Sequence, residues 1–183
     1  MSVAMVEVEE VVEVEETRTV ISSEEFRKAL RHFPAGVTIV TVRAGDKIHG
    51  LTVSAFASVS AEPALISITI ENRHKAYPML QEPEAVFAVN ILGEGQSELS
   101  NRFAWVKDED RFAMGNWATA ETGAPVLTDA LAWLDCRIQA RYPAGTHTIY
   151  VGEVVASDVP QEEAPPLIYW NRGYRKLGLH EEE

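Results

Sequence analysis

Between residues 37 and 170 the chain is a succession of short runs rich in β-branched residues, each bounded by turn-forming residues. The first run covers 37–42, and the Ala44-Gly45-Asp46 triplet after it is typical of a hairpin turn. Further strands are predicted over 47–55, 64–70, 85–92, 131–141, 146–157 and 166–170. Only two short helices fit between them, near 74–81 and 96–103. This pattern predicts a mainly β barrel or sandwich rather than a doubly wound parallel sheet.

One further helix is predicted before the first strand. Ser22 and Glu25 have the spacing of a capping box, which marks a helix N-terminus. Apolar residues then follow at helical spacing: Phe26, Ala29, Leu30 and Phe33. Pro34 and Gly36 are expected to end this helix.

The charge of the chain is concentrated at its two ends. Nine glutamates lie within 1–16 and 181–183, so the formal net charge of -12 falls to about -3 for the remainder. Valine alternates with glutamate in the first segment, which fits a solvated tail or an exposed edge strand. We therefore expect an acidic tail over 1–20, one domain over 21–179 and a short acidic tail over 180–183.

Composition excludes several classes of function. An acidic body lacks the clustered Lys and Arg that a nucleic-acid partner requires. No apolar run suggests a membrane span or a secretory signal, so the cytoplasm is the expected location. The single cysteine, Cys136, excludes an internal disulfide and is expected to be a buried, inert thiol.

Familiar catalytic motifs are missing from the sequence. It contains no phosphate-binding GxxxxGK[ST] loop, no HExxH, no CxxC and no GxSxG, and its five histidines lack the spacing of a zinc site. If the chain is an enzyme, a bound organic cofactor is expected to supply the chemistry.

The segment 49–60 carries the strongest chemical signal. Its hydroxyls occur at even spacing, which places them on one face if the strand stays extended: Thr52, Ser54, Ser58 and Ser60. Such a row can hydrogen-bond a phosphate or a ring edge, and Gly50 would let the backbone approach a flat ligand. A half-exposed strand whose hydroxyls face water explains the same pattern.

Several segments, in order, resemble the short-chain flavin reductases, the reductase components of two-component flavin-dependent monooxygenases. They are Phe33-Pro34-Ala35-Gly36-Val37-Thr38, His49-Gly50-Leu51-Thr52-Val53-Ser54-Ala55-Phe56, Ser58-Val59-Ser60, Phe87-Ala88-Val89-Asn90, Leu99-Ser100-Asn101-Arg102-Phe103, Gly145-Thr146-His147 and Leu167-Ile168-Tyr169-Trp170. The similarity covers about 23–178. One position departs from the family pattern, since Thr146 stands where many members carry Asp.

The resemblance implies a homodimeric split β-barrel of the Greek-key, FMN-binding type, with the flavin near the subunit interface. It assigns Thr52, Val53, Ser54 and Ala55 to the isoalloxazine edge, and Ser58, Val59 and Ser60 to the ribityl chain and phosphate.

Two further groups are assigned to the flavin. Asn72, His74 and Lys75 lie at the N-terminus of a predicted helix, where cationic side chains and free N–H groups can seat a phosphate, although a solvated basic turn is the alternative. Arg102 and Phe103 could clamp the same ligand, or be a surface arginine and a core phenylalanine.

The nicotinamide is assigned to His147, Tyr169 and Arg172, with His147 steering the ring rather than acting as an obligatory acid. Packing in the core or at an interface is the expected role of the four tryptophans.

The function expected from these features is NADH- or NADPH-dependent reduction of FMN or FAD, which is then passed to a partner monooxygenase. A flavin-binding redox sensor or carrier without rapid nicotinamide turnover is the alternative.

Overall fold

Seven antiparallel strands form the main sheet of the computed structural model, which describes residues 21–106 and 110–178. Their order across the sheet is β3-β2-β6-β9-β10-β5-β4. These strands are β2 (Thr38–Ala44), β3 (Lys47–Val53), β4 (Phe56–Ala61), β5 (Ala64–Glu71), β6 (Val86–Ile91), β9 (Ala132–Ala144) and β10 (His147–Asp158). The mainly β architecture predicted from the sequence is therefore confirmed.

The two edge strands of this sheet follow each other in the chain. Only Ser54 and Ala55 separate the end of β3 from the start of β4. Six strand spacings would hold these edges about 29 Å apart in a flat sheet, whereas three Cα steps span about 11 Å at most. The sheet must therefore curl until its edges approach each other at this corner. β3 and β4 are not paired in the described residues, which is the split of a split barrel.

Two small sheets and three helices complete the fold. One small sheet has the order β1-β11-β12, and the other pairs β7 with β8. The small-sheet strands are β1 (Ala35–Gly36), β7 (Trp117–Thr119), β8 (Pro125–Leu127), β11 (Ile168–Trp170) and β12 (Gly173–Arg175). The helices are α1 (Ser23–Leu30), α2 (Ala76–Leu80) and α3 (Ser97–Trp105), with single 3₁₀ turns at Glu94–Gln96 and Arg111–Ala113. No helix in the described ranges has the length and apolarity needed to cross a membrane.

The core lies on both faces of β2. Val40 and Val42 belong to the cluster inside the curled sheet, whereas Ile39 joins a second cluster under α3. Side chains alternate between the faces of a strand, so β2, which is covered on both sides, is buried without interruption from Thr38 to Val42. The buried hydroxyl of Thr38 donates to the carbonyl of Val53 over 2.7 Å, which satisfies a polar group in this interior.

The capping box predicted for α1 is confirmed. Ser22 Oγ accepts the Glu25 N–H over 3.2 Å, and the Glu25 carboxylate accepts the Ser22 N–H over 3.0 Å. The apolar face of α1 is nevertheless uncovered, because the helix has no buried residue. This face lies open on the single chain.

Several element boundaries differ from the sequence expectations. The strand predicted over 47–55 ends at Val53, because the chain leaves β2 there and pairs with β5 from Phe56 onward. The helices expected at 74–81 and 96–103 are observed at Ala76–Leu80 and Ser97–Trp105. The strands β1 and β12 and the β7–β8 pair were not expected from the sequence, and α1 ends at Leu30, before the end expected at Pro34. The tails expected over 1–20 and 180–183, with residue 179, lie outside the described residues.

Helix α3 packs against β3 at a position that only glycine can occupy. A Cβ on Gly50 would lie 2.3 Å from Cε1 and 2.7 Å from Cδ1 of Phe103. The close approach that Gly50 permits is therefore made by the ring of Phe103 and not by a flat ligand. Phe103 also meets Phe112 edge to face, with centroids 5.2 Å apart.

We expect Gly50→Ala to lower the free energy of unfolding by about 1–3 kcal/mol, because the added methyl overpacks against the buried ring of Phe103. Urea denaturation measures this, and Phe103→Leu in the Gly50→Ala background should recover part of the loss. Gly95→Ala is the matched control, since its Cβ would meet nothing within 4 Å. Equal stability of Gly50→Ala and wild type would contradict the packing described.

Candidate functional site

A cleft of about 550 Å³ opens beside the corner where the sheet is split. Its walls come from the end of β3, helix α3, the loop before α2 and the β11–β12 hairpin. The residues lining it are Val37, Leu51, Thr52, Ser54, His74, Ser100, Asn101, Phe103, Ala104, Trp105, Tyr169, Arg172, Gly173 and Tyr174. The volume and the mixture of aromatic walls with a few polar groups are typical of a site for an organic ligand.

The corner residues Ser54 and Ala55 carry backbone donors that the sheet does not use. The β2–β3 ladder ends at Val53, and the N–H groups of Ser54 and Ala55 have no hydrogen-bond acceptor within 21–106 and 110–178. Both residues are exposed, and Ser54 lines the cleft. Ala55 is held in place because its carbonyl accepts the Thr69 N–H over 3.0 Å. The corner therefore presents fixed, unused donors to a ligand.

The floor of the cleft is a network of hydrogen bonds between β3, α3 and β12. Thr52 Oγ1 donates to the Ser100 carbonyl over 2.6 Å. The Tyr174 hydroxyl lies 2.9 Å from both Ser100 Oγ and Asn101 Oδ1. The Thr52 side chain thus positions α3 against the strand, and its hydroxyl proton is already engaged.

His74 closes one end of the cleft as a neutral imidazole. Burial, followed by the nearby Arg111 guanidinium, lowers the pKa of His74 below its usual range. Its Nδ1 accepts the Ala76 N–H over 3.1 Å, at the start of α2. A neutral ring that accepts at Nδ1 carries its proton on Nε2, which leaves one N–H donor for a ligand.

Asn72 and His147 meet on the adjoining hairpin. The Asn72 side chain accepts a hydrogen bond from Thr148 Oγ1 over 2.9 Å. The backbone N–H of Asn72 donates to the Thr146 carbonyl over 3.0 Å. His147 is exposed at the start of β10, with Nδ1 2.9 Å from Thr146 Oγ1. Asn72 and His147 are outside the cleft lining, and their ligand roles stay predictions.

The row of hydroxyls expected along 52–60 is not one continuous face. The strand breaks at Ser54–Ala55, and the β4–β5 register shifts by a bulge between Ser58 and Ser60. A bulge adds one residue to one strand, so even spacing no longer means a shared face. Ser58 and Val59 are exposed on the edge strand β4, and Ser60 is half-buried there. The structure therefore brings only Thr52 and Ser54 of the four hydroxyls into the cleft lining.

Arg102 and Phe103 have packing and anchoring contacts. Phe103 is buried over Gly50 and borders the cleft from below. Arg102 donates from Nε to the Arg111 carbonyl over 3.1 Å and from Nη2 to the Asp110 carbonyl over 2.6 Å. The guanidinium thus holds the segment that follows α3. A direct contact of Arg102 with a ligand stays a prediction, as do the roles of Val53, which is buried, and Lys75.

The β11–β12 hairpin holds its turn in an uncommon backbone conformation. Asn171 and Arg172 have φ angles of 45° and 64°. Two successive left-handed residues suit a tight hairpin turn, yet the second position usually takes glycine. Such strain marks positions where the side chain has a use. The Arg172 side chain lines the cleft, together with the half-exposed ring of Tyr169.

Trp105 is one of the cleft residues to which the sequence assigned no ligand role; the others are Val37, Leu51, Ser100, Asn101, Ala104, Gly173 and Tyr174. The Trp105 side chain is 75% exposed and lines the cleft at the end of α3. Packing in the core is therefore excluded for Trp105, and the alternative expectation of packing at an interface stays a prediction. The position of Trp105 two residues after buried Phe103 is the available signal, because a helix turns by about 200° over two residues. By contrast, Cys136 is buried as expected, and burial raises the pKa of its thiol to about 12.

The chain belongs to the flavin reductase family. Residues 30–178 match the flavin reductase like domain. The chain is 41% identical over 154 residues to the reductase component of a 4-hydroxyphenylacetate 3-monooxygenase from Thermus thermophilus, an alignment that covers 84% of this chain and 96% of that protein. It is 37% identical to an NADH:FMN oxidoreductase from Rhodococcus erythropolis, covering 92% of this chain and 88% of the relative.

Solved structures agree with this assignment. The fold is similar to that of an NADH:FAD oxidoreductase from Streptomyces globisporus solved with NAD and FAD fragments, with a TM-score of 0.79 and 31% identity. That alignment covers 87% of this chain and 94% of the other. The family and the fold class expected from the sequence are confirmed.

The titration of His49 on β3 gives a test of the electrostatics near this site. Burial, then Arg111, His74 and Lys75 in decreasing order, lowers the pKa of His49 from 6.5 to about 4. Between these values the unfolded chain binds more protons at His49 than the folded chain, so stability falls as the pH drops from 6.5 towards 4.

We expect His49→Gln to flatten this part of the stability profile, measured by urea unfolding at about pH 7.5 and about pH 5. His32→Gln, at an exposed histidine, is the control. If the free energy of unfolding of His49→Gln changes with pH as steeply as that of wild type, His49 is not the group responsible for the loss of stability.

Proposed function

We propose that the chain is an NAD(P)H-dependent flavin reductase that reduces FMN or FAD for a partner monooxygenase. The observation that carries this proposal is the cleft at the split of the barrel. There, Ser54, whose backbone N–H is unused, and the neutral ring of His74 line a space that they share with Leu51, Trp105 and Tyr169. The family assignment and the names of the relatives agree with it.

The residues of the cleft fit a flavin. A tricyclic ring needs flat apolar walls, which the side chains of Leu51, Trp105 and Tyr169 provide. Its polar edge needs hydrogen-bond donors, and the corner supplies N–H groups at Ser54 and Ala55. No charged side chain is required against the ring itself, which suits a ligand that must leave after reduction.

The chemistry belongs to the two ligands, since a hydride passes from nicotinamide C4 to flavin N5 without a protein nucleophile. The protein contributes position and electrostatics. The walls of the cleft would hold the two rings in contact, a geometry in which hydride transfer requires donor and acceptor atoms about 3–3.5 Å apart. The N–H donors of Ser54 and Ala55 would hold the polar edge of the flavin and stabilise the negative charge that develops there on reduction. Because these donors are fixed by the fold, no reorganisation is needed during the transfer.

The nicotinamide dinucleotide is assigned to the outer wall of the cleft. Tyr169 offers a ring for stacking, and the guanidinium of Arg172 can pair with a phosphate. His147 is assigned to the same ligand from the adjoining hairpin, where its exposed ring can move towards the site. This arrangement needs few protein groups that take part in the chemistry directly, because the rate depends mainly on how the two ligands are positioned.

A homodimer explains the open apolar surface of α1. Phe26, Leu30 and Phe33 are 51%, 51% and 71% exposed. A groove lined in part by Leu30, Phe33 and Arg172 runs from this helix to the cleft, with Ser54 and Ala55 at its end. A second copy seated on this surface would bury it and would border the ligand site. The cytoplasmic location stays a prediction.

The function is tested by mixing the protein with FMN or FAD and then with NADH or NADPH in anaerobic stopped flow. We expect the flavin absorbance to bleach within seconds for at least one pair. Binding of a flavin without its reduction would favour the redox sensor or carrier. Lack of saturable binding of either flavin would contradict both readings.

We expect Ser54→Val to raise the flavin dissociation constant about five- to tenfold, since it crowds the corner and removes a hydroxyl from the cleft. Ser58→Val, on the exposed edge strand, is the matched control because Ser58 lies outside the cleft lining. The loss of fluorescence on flavin binding measures both. Equal flavin affinities of Ser54→Val and wild type would show that the flavin ring does not bind at this corner.

Charge on the open face of α1 is expected to separate the subunits. Leu30→Glu should convert the dimer to a monomer in sedimentation velocity, because a carboxylate cannot be buried unpaired at the interface. Lys28→Glu, on the opposite side of the helix, should leave the dimer intact. A wild type that sediments as a monomer, or a dimeric Leu30→Glu variant, would contradict this interface.

A further inference from the structure

A second pocket, of about 240 Å³, adjoins the cleft behind His74. It is lined by Ile48, His49, Gly50, Lys75, Asp110, Arg111 and Phe112. His49 on its wall contacts His74 on the wall of the cleft, with ring centroids 5.5 Å apart. The ring pair Phe103–Phe112 likewise joins the two spaces, since Phe103 borders the cleft and Phe112 borders the pocket. The two spaces are therefore neighbours.

His49 contributes a buried polar atom that the described part of the protein does not satisfy. Its Nε2 is inaccessible to solvent and has no hydrogen-bond partner among the described residues. An unmade hydrogen bond of this kind costs free energy, so a native structure that keeps one needs a reason for it. A ligand group at the mouth of the pocket would provide the partner after a small rotation of the ring.

Arg111 is held so that part of its guanidinium faces this space. Nε donates to the Val106 carbonyl over 2.7 Å, and Nη1 donates to the Gly50 carbonyl over 2.6 Å. These bonds fix the plane of the group, and Nη2 has no acceptor within the described ranges. A fixed guanidinium edge binds phosphate oxygens well, because little side-chain entropy is lost on binding.

The charge around the pocket favours an anion. Lys75 and Arg111 are cations, and together with His74 they contribute to lowering the pKa of His49. Asp110 is the only acidic residue of the lining, and its Oδ1 accepts the Phe112 N–H over 2.9 Å. Two histidines beside two permanent cations are a poor site for a metal ion, and the described residues contain no cluster of three potential metal ligands.

We propose that this pocket binds the pyrophosphate and adenosine half of FAD, so that the protein prefers FAD to FMN. This proposal rests on the assignment of the cleft to the flavin ring. Lys75, Arg111 and His49 would take the pyrophosphate oxygens. Ile48, which is 49% exposed, and the edge of Phe112 provide an apolar wall for the adenine.

FMN would leave most of these features unused. It ends at a single phosphate, for which the Nε2–H of His74 on the wall of the cleft would be the partner. The cations and the apolar wall lie beyond His74, in the second pocket. A ligand that continues past the first phosphate with a second phosphate and a base matches both parts of that lining. The two cations and the apolar wall of the pocket therefore favour the longer flavin.

The test is a comparison of dissociation constants for riboflavin, FMN and FAD, measured by fluorescence titration of the full chain. The principal variant is Lys75→Met, whose exposed side chain makes a folding defect improbable. His49→Asn is the second variant. Lys47→Met is the matched control, an exposed lysine on the same strand as His49 and outside the pocket.

For wild type we expect FAD to bind more tightly than FMN. Lys75→Met should raise the dissociation constant of FAD about tenfold and that of FMN no more than twofold, since the substitution removes a charged contact to the second phosphate. His49→Asn should shift the ratio of the FAD and FMN dissociation constants in the same direction, and Lys47→Met should leave this ratio unchanged.

Two outcomes would overturn the proposal. Equal weakening of FMN and FAD by Lys75→Met would show that the pocket holds the phosphate shared by both flavins. Unchanged affinity for FAD in both pocket variants would show that the pocket binds no part of either flavin. A wild type that binds no flavin at all would instead refute the proposed function, so the two failures can be told apart.

Discussion

The two-residue connection between β3 and β4 is the constraint from which the site follows. It ties the opposite edges of a seven-stranded sheet together, so the sheet must curl, and it leaves the edges unpaired where they meet. Backbone groups at such a point cannot complete a ladder. The N–H groups of Ser54 and Ala55 are therefore left without an acceptor among the described residues, at the corner where the two edges approach each other.

Helix α3 and the β11–β12 hairpin convert this gap into a cleft. Phe103 fixes the helix by filling the space above Gly50, and Thr52 bonds to the backbone of the same helix. The hairpin then covers the opposite side with Tyr169 and Arg172, at the expense of a left-handed backbone at Arg172. The ligand site is thus assembled from contacts that also stabilise the fold. Changes at Gly50 or Phe103 are for that reason expected to affect both stability and binding.

Local patterns in the sequence predicted the elements well but could not predict where the chain changes partner. The capping box at Ser22 and the β-branched run of β2 depend on neighbours in sequence, and both are confirmed. The break at Ser54 depends on pairing with β5, which is a long-range contact that periodicity does not reveal. The even spacing of the hydroxyls in 52–60 was therefore read as one face, whereas the corner and the bulge in β4 separate them.

The sequence predicted only part of the candidate site, because residues that are distant in sequence form it. Thr52, Ser54, His74, Phe103, Tyr169 and Arg172 all line the cleft, since family motifs preserve residues that the fold brings together. Trp105 and Arg111 lie outside every quoted motif, and His49 stands in one without an assigned role. Only the packing of α3 and the segment after it against β3 makes them neighbours of the site. Charge and burial in three dimensions identify them.

The most direct measurement of the central claim is the position of the flavin in crystals of this protein soaked with FAD. The account predicts density for the tricyclic ring between Leu51 and Tyr169, with its N1–C2=O edge within hydrogen-bond distance of the Ser54 and Ala55 N–H groups. Density along the outer face of β4, or a cleft that stays filled with water at saturating FAD, would contradict it.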